Sequence, residues 1–164
     1  MDKLDKLLQE VQEVKVSYKK LRGNAIIPFA ATKLSGGWDV TASDIEQVAN
    51  DLVVVKLGLA MQPTEGYRLM FSPRSSFTKH NWVLQNSPAL GDADYLGEYM
   101  LKFRALPIGG SVYGGSFRYE EFPYAVGDRC AQMYLEKIIY PNFVEVEEFE
   151  NHTDRVGGFG STNI

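Results

Sequence analysis

Hydrophobic positions in this chain occur in short stretches, and turn-forming residues separate them. Gly, Pro, Asn or Asp bound the apolar or β-branched runs, which cover residues 14–18, 52–60, 66–71, 99–103, 131–139 and 143–149. Short runs with such boundaries predict β-strands, since an amphipathic helix would repeat its apolar positions every three or four residues. A glycine-rich stretch at 105–123 predicts a long hairpin or loop excursion. The pattern as a whole predicts an all-β fold, either a sandwich or a barrel.

The two ends of the chain depart from this pattern. Leu4, Leu8 and Val11 share one face of a predicted short helix over residues 2–13, which is either a partner-docking helix or a poorly tethered extension. The tail R-V-G-G-F-G-S-T-N-I suits a loose chain end or a flap that closes over an anionic, ring-bearing ligand. The predicted organisation is therefore an N-terminal extension at 1–13, a β domain at 14–150 and a mobile C-terminal motif at 151–164.

Composition narrows the functional classes. The formal net charge is −4 over 164 residues, which argues against a nucleic-acid-binding surface. No run is long enough to span a bilayer, and the charged N-terminus is unlike a signal peptide, so we expect a soluble cytoplasmic protein without a membrane partner. The single cysteine, Cys130, excludes an intramolecular disulfide, and its apolar neighbours predict a buried thiol.

Two polar clusters interrupt the first half of the β pattern. Asp39 lies within G-G-W-D-V-T-A, where a turn-capping role is the simplest interpretation. The second cluster, S-P-R-S-S, follows an apolar run and presents Arg74, Ser75 and Ser76. Arginine binds phosphate oxygens bidentately and the amides of such a turn form an anion nest, so this cluster predicts a phosphate site, with a polar surface turn as the alternative.

Two further clusters follow. In N-S-P-A-L-G-D-A-D-Y-L-G-E-Y, Asp92 can orient a water as a general base, Asn86 can read an amide-like ring edge, and Tyr95 offers its ring to a sugar. The alternative is an Asx-rich turn whose side chains satisfy the backbone. In G-D-R-C-A-Q, Arg129 and Gln132 are either a surface ion pair and amide or part of a pocket wall.

The order of these clusters, followed by G-G-F-G-S-T near the C-terminus, resembles the trimeric deoxyuridine triphosphatase (dUTPase) family. The five signature regions of that family are recognisable in order between residues 36 and 162. The resemblance implies a β jelly-roll and a homotrimer with shared active sites. It also implies that water attacks the α-phosphorus of dUTP to yield dUMP and pyrophosphate, with Mg²⁺ bridging the phosphate oxygens.

The same resemblance implies roles for individual residues. Asp92 takes the place of the general base, and Asp39 lies near the metal and contacts it through water. The implied substrate-binding set is Arg74, Ser75, Ser76, Asn86, Leu90, Gly91, Tyr95, Met100, Gln132, Arg155, Phe159, Gly160 and Ser161. One departure stands out, because the family commonly has Gly-x-Ile-Asp before the tyrosine and this chain has A-L-G-D at 89–92.

Two rival functions are compatible with the same fold. A dCTP deaminase shares the jelly-roll and an R-S-S turn, but that family typically has Asp-Pro-Gly-Phe at the position of D-A-D-Y and lacks the G-G-F-G-S-T tail. The other rival is a non-catalytic nucleotide-binding or partner-regulating module. Retention of Asp92 and Phe159 favours catalysis over that second interpretation.

Overall fold

The computed structural model describes residues 14–111 and 116–150, and almost all of its regular structure is β. The strands are β1 Val16–Lys20, β2 Trp38–Thr41, β3 Asp44–Ala49, β4 Leu52–Lys56, β5 Leu59–Pro63, β6 Tyr67–Ser72, β7 Trp82–Leu84, β8 Ala89–Gly91, β9 Met100–Ala105, β10 Gly109–Ser111, β11 Ser116–Arg118 and β12 Arg129–Lys137. The helical content of the described residues is one short 3₁₀ helix, Ser75–Lys79.

Two four-stranded antiparallel sheets form the body of the domain. The first sheet has the order β2-β12-β6-β8, and the second has the order β3-β4-β9-β7. Two smaller antiparallel pairs, β1 with β5 and β10 with β11, complete the described strands. Consecutive strands repeatedly change sheet, which is the connectivity of double-sheet β folds. The predicted all-β fold is confirmed.

The core lies between the two sheets. Along β9 the side chains alternate, so that Leu101, Phe103 and Ala105 are buried while the residues between them face outward. Residues from both sheets and the 3₁₀ helix contribute to one hydrophobic cluster, whose largest fully buried members are Phe71, Phe103, Leu57, Leu59, Leu69, Leu101, Val40, Val53, Val55 and Cys130. Burial of these alternating positions is what joins the sheets.

The predicted strand at 52–60 is two strands, because the chain bends between them. Gly58 adopts a φ of +67°, and a Cβ on this residue would lie 2.6 Å from the Ser43 Oγ. Glycine alone tolerates this combination of left-handed backbone and close approach. The Glu98 carboxylate holds the bend by accepting a hydrogen bond from the Gly58 amide at 3.0 Å. The bend sends β4 and β5 into different sheets.

Other strand predictions have mixed outcomes. Three predicted strands are present with small changes at their ends, namely those at 66–71, 99–103 and 131–139. The predicted excursion at 105–123 carries the β10–β11 hairpin, although its residues 112–115 lie outside the described part. The strand predicted at 143–149 is wrong. Within the described residues no strand pairs with it, and Phe143 and Phe149 are 91% and 77% exposed. Local β propensity forms a strand only where a partner offers hydrogen bonds.

The predicted N-terminal helix at 2–13 and the glycine-rich tail at 151–164 lie outside the described residues. In the described part, no helix is long and apolar enough to cross a membrane.

Cys130 provides a test of this core. Its side chain is fully buried in the hydrophobic core, and burial raises the pKa of the thiol to about 12. The native thiol therefore stays protonated and inaccessible at pH 8, whereas the thiol of the unfolded chain begins to ionise near its ordinary pKa of about 8.5. We expect the native protein to resist a disulfide-exchange reagent at pH 8 and to react fully once urea unfolds it. Rapid stoichiometric labelling without denaturant would contradict this packing.

Candidate active site

Register across the first sheet brings predicted polar residues from distant segments onto one face. Gln132 of β12 is paired with Asp39 of β2 on one side and with Ser72 of β6 on the other. Directly paired residues of antiparallel strands have side chains on the same face of the sheet. Their neighbours Val40 and Phe71 point into the core, so Asp39, Gln132 and Ser72 lie on the outer face.

Asp39 is buried between two arginines. The Arg74 Nε donates to its Oδ1 at 3.1 Å, and the Arg129 Nη1 donates to its Oδ2 at 3.0 Å. Arg74 also donates from Nη1 to the backbone oxygen of Arg129 at 3.3 Å. Asp39 is only 4% exposed, whereas both guanidinium groups remain partly open to solvent. The cluster therefore carries one surplus positive charge on the accessible side of an otherwise acidic protein.

The serines beside Arg74 are held by a neighbouring aromatic anchor. Phe77, in the 3₁₀ helix, is buried and packs edge-on against Phe103, with ring centroids 5.2 Å apart, and parallel to Tyr124 at 5.6 Å. Because Phe77 fills the core side of this short helix, Ser75 and Ser76 remain exposed on the surface next to Arg74. The structure thus brings six residues to one region, the cationic cluster: Asp39, Arg74, Ser75, Ser76, Arg129 and Gln132.

A second group of predicted residues surrounds the end of β8. Asp92 follows directly after Gly91 and is exposed, and its backbone oxygen accepts a hydrogen bond from the Tyr95 amide at 3.2 Å. The Tyr95 hydroxyl donates to the Glu98 backbone oxygen at 3.0 Å, which folds the ring back over Gly97. A Cβ at Gly97 would lie 2.5 Å from that hydroxyl, so a side chain there would displace the Tyr95 ring from this position. Asp92 and Tyr95 form the turn group.

Asn86 and Met100 occupy different surroundings. Asn86 lies between β7, which pairs with β9 in the second sheet, and β8, which pairs with β6 in the first. The segment containing Asn86 therefore crosses from one sheet to the other. Met100 is exposed at the start of β9, opposite Lys56 of the second sheet.

The cationic cluster and the turn group lie at opposite ends of β6. Gly91, just before Asp92, is paired with Leu69 near the start of β6, whereas Arg74 follows its last residue, Ser72. At about 3.3 Å per residue, this geometry separates Asp92 from Arg74 by roughly 15–20 Å within one chain. One copy of the chain therefore does not bring the predicted general base next to the predicted phosphate-binding arginine.

The structure also adds Tyr99, which the sequence interpretation left out, and shows where two residues that it named, Arg129 and Leu90, lie. Tyr99 is buried beneath Gly91 and Tyr95, although its place at the start of an apolar run made it look like an ordinary strand residue. The sequence predicted Arg129 to be either part of a pocket wall or a member of a surface ion pair. In the structure it forms an ion pair with Asp39. Leu90 lies exposed on β8, opposite Met70. The remaining predicted residues, Arg155, Phe159, Gly160 and Ser161, lie outside the described part of the chain.

The donor set limits how a metal ion can be held. Among the described residues, no three His, Cys, Asp or Glu side chains form a cluster that could bind one. Both carboxylate oxygens of Asp39 already accept hydrogen bonds from arginine, so each has only its remaining lone pair for a metal-bound water. Such a site fits Mg²⁺, which keeps several waters and takes phosphate oxygens as ligands, and it does not fit an all-protein cage.

Comparison with known proteins decides the family. The family model described as dUTPase matches residues 23–163. The chain belongs to the dUTPase family. It is 32% identical over 155 residues to a deoxyuridine 5'-triphosphate nucleotidohydrolase of Helicobacter pylori strain Shi470, covering 92% of this chain and 98% of that one. The corresponding protein of Leptospira interrogans is 34% identical over 154 residues, covering 91% and 99%.

Solved dUTPase structures have the same fold. A Staphylococcus bacteriophage 80alpha dUTPase with dUpNHpp superposes with a TM-score of 0.71 at 22% identity, covering 92% of this chain and 99% of the phage chain. A mutant dUTPase of phage phi11 of S. aureus, described with a structural Mg(II) ion, gives 0.67 at 22% identity, covering 84% and 99%. The resemblance inferred from the motifs is confirmed at the level of fold and family.

The buried carboxylate of this dUTPase-family chain is open to a direct test. Replacing Asp39 with Asn removes the charge that pairs two guanidinium groups, so we expect the free energy of unfolding to fall by about 1–3 kcal/mol, less than for a fully buried pair because both arginines are partly solvated. Asp51→Asn, which breaks the more exposed pair with Arg104, is the matched control and should cost less than about 1 kcal/mol. Equal losses in urea unfolding would show that the Asp39 pairs contribute no more than surface ion pairs.

Proposed function

We propose that this protein is a dUTP diphosphatase, which hydrolyses dUTP to dUMP and pyrophosphate. Membership of the dUTPase family over residues 23–163 supports the activity. The observation that carries it is the turn group, in which an exposed carboxylate, Asp92, and a half-exposed ring, Tyr95, stand together on a rigid strand end. A carboxylate in that position can take a proton from water, and the adjacent ring can pack on a deoxyribose.

The cationic cluster is the proposed phosphate-binding side. Asp39 fixes Arg74 and Arg129 by one hydrogen bond each, so the orientation of their remaining donors is set before a ligand arrives. Preorganised donors stabilise the charge that develops on the phosphate, because they need not reorient during the reaction. Ser75, Ser76 and Gln132 supply additional hydrogen-bonding groups beside Arg74. This local positive charge compensates for the net charge of −4, which by itself would repel a nucleotide.

The turn group is the proposed base and sugar side, together with Asn86, Leu90, Gly91 and Met100. In the proposed reaction Asp92 accepts a proton from the attacking water, whose oxygen forms a bond to the α-phosphorus. The bond from that phosphorus to the pyrophosphate oxygen then breaks. Bound Mg²⁺ would neutralise phosphate charge, with its ligands taken from the phosphates and water and with Asp39 contacting one such water. The tail residues Arg155, Phe159, Gly160 and Ser161 are proposed to close over the nucleotide.

We further propose that each active site combines residues from different subunits of a homotrimer. The roughly 15–20 Å between Asp92 and Arg74 within one chain supports sharing, because both must approach the same nucleotide. Apolar exposure supports assembly as well. Ile139, Phe143 and Phe149 are 86%, 91% and 77% exposed in the single chain, and apolar surface of this kind marks protein interfaces. The domain boundaries and the cytoplasmic location stay predictions from the sequence.

The activity is tested by pyrophosphate release in the presence of Mg²⁺. We expect dUTP to be hydrolysed and dCTP, dTTP and UTP to be hydrolysed at least about a hundredfold more slowly, because a site built to pair one base rejects mispaired donors and acceptors. Asp92→Asn should reduce kcat by at least about a thousandfold while leaving dUTP affinity nearly unchanged, and Asp94→Asn, two residues further on, is the matched control. Ammonia release from dCTP would favour the deaminase rival. Tight dUTP binding without turnover would favour a regulatory module.

Subunit sharing predicts complementation between inactive variants. Arg74→Ala and Asp92→Asn, each nearly inactive alone, should regain about a quarter of the wild-type activity when they are unfolded together in equal amounts and refolded as mixed oligomers. That fraction follows because a shared site is intact only when its arginine and its aspartate come from differently mutated subunits. Oligomers of each variant refolded separately and then combined are the control. If both residues acted within one chain, mixing would restore no activity.

A further inference from the structure

The space above Gly91 is filled by the side chain of a different residue. A Cβ built on Gly91 would lie 2.5 Å from Cε1 of Tyr99, 2.8 Å from its hydroxyl oxygen and 3.1 Å from Cζ. Real side chains do not approach so closely, so alanine at this position cannot coexist with the present Tyr99 ring. The φ of Gly91 is not left-handed, and the backbone alone therefore does not require glycine. The ring is what excludes every other residue.

Gly91 would ordinarily carry a core side chain. It is buried and paired in β8 with Leu69, which is fully buried, so its missing side chain would point into the hydrophobic core. In the pattern common to the dUTPase family an isoleucine stands here. In this chain the volume is supplied by Tyr99, which is 6% exposed and whose ring centroid lies 5.3 Å from that of Phe71. Residues 91 and 99 thus fill one core space between them.

The backbone of Tyr99 is itself anchored to Leu57 and Leu59. Its backbone amide donates to the Leu59 oxygen at 2.9 Å, and its backbone oxygen accepts from the Leu57 amide at 3.0 Å. These bonds join Tyr99 to the bend at Gly58, where the chain passes between sheets. The ring therefore projects onto the end of β8 from a backbone that is held by hydrogen bonds outside the turn.

The ring also contacts both members of the turn group. The Tyr95 ring stands edge-on to that of Tyr99, with centroids 5.2 Å apart and an interplanar angle of 81°. The Tyr99 hydroxyl lies 3.5 Å from the backbone oxygen of Asp92, which is the limit of a hydrogen bond. Burial raises the pKa of Tyr99 to about 12, so the phenol is neutral throughout any practical assay range. Shape and packing, more than the long hydrogen bond, are what the ring contributes.

We propose that Tyr99 is the positioning residue of the turn group: its ring, seated in the space left by Gly91, determines where Asp92 and Tyr95 stand. The inference rests on the proposed function, because it assigns Asp92 the role of general base. Tyr99 does not touch the nucleotide in this proposal. It acts through the strand end that carries the carboxylate and through the ring that packs on the sugar.

Three variants test the proposal in the full-length protein. Gly91→Ala should lower kcat about tenfold or more, since displacement of a reacting group by about 1 Å can cost about a hundredfold. Tyr99→Leu should lower kcat comparably, because Asp92 and Tyr95 lose their support. Tyr99→Phe keeps the ring and should retain kcat within about threefold. The discrimination of dUTP against UTP should fall in Tyr99→Leu and persist in Tyr99→Phe.

The double variant Gly91→Ala/Tyr99→Leu carries the decisive comparison. Removing the ring makes room for the new methyl group, so the double variant should have a higher melting temperature than the sum of the two single shifts predicts. Its kcat should likewise be higher than the product of the two single fold-changes predicts. Trp82→Leu is the matched control, because it removes a buried ring that contacts Phe122 instead of the turn group. It should lower the melting temperature and leave kcat within about twofold.

The outcomes separate this inference from the proposed function. If the wild-type protein hydrolyses dUTP but the two substitutions act additively, or if Tyr99→Leu changes kcat no more than Trp82→Leu does, the positioning role is wrong and the function stands. If the wild-type protein binds dUTP without hydrolysing it, the proposed function fails. The same cycle is then measured by melting temperature and by calorimetric dUTP affinity, which reports the placement of Tyr95. Additive effects on both would overturn the inference there as well.

Discussion

The antiparallel pairing of β6 on both of its edges is the constraint on which the candidate site depends. On one edge β12 aligns Gln132 with Ser72, and on the other β8 aligns Gly91 with Leu69. Because side chains alternate along paired strands, these registers decide which residues reach the outer face and which enter the core. They also send Arg74 and Asp92 to opposite ends of the same strand. The distance between Arg74 and Asp92, which supports a site shared between subunits, is therefore a consequence of strand direction.

Charge is organised locally in this protein. An acidic chain attracts a polyanionic substrate only where cations are concentrated and held, because long-range attraction from the net charge is unfavourable. Asp39 concentrates them by placing one buried carboxylate between Arg74 and Arg129. A single carboxylate shared by two guanidinium groups neutralises only one of their two positive charges, whereas two separate ion pairs would neutralise both. The arrangement leaves surplus donors directed toward solvent, where phosphate oxygens can replace water.

The turn group shows how a departure in one motif position is accommodated elsewhere. Gly91 removes a core side chain directly before the candidate general base, and Tyr99, just before the start of β9, returns the missing volume. Protein cores tolerate such exchanges when total volume is conserved, although the new partner also brings new constraints. Here the constraint falls on Asp92 and Tyr95, which both contact Tyr99. At this strand end, a change in core packing therefore also changes the geometry of the candidate site.

Several features were predictable from the sequence, since they depend on local chemistry. Short apolar runs between turn residues predicted β6, β9 and β12, and the order of polar clusters predicted the family. The strand prediction that failed concerns a partner. The segment at 143–149 has good β propensity, but none of the strands in the described residues pairs with it. Propensity is local, whereas strand formation requires a neighbour.

The sequence by itself determined the all-β class, the family and the chemical types available to the site, because spacing and residue identity are properties of short segments. Only the tertiary structure decided that Asp39 pairs with Arg129, ninety positions away, and that Tyr99 fills the space at Gly91. These contacts follow from strand register and from the competition for core volume, which no single segment encodes. The residues that could do chemistry were visible in the chain, and their arrangement came from the way the two sheets pack together.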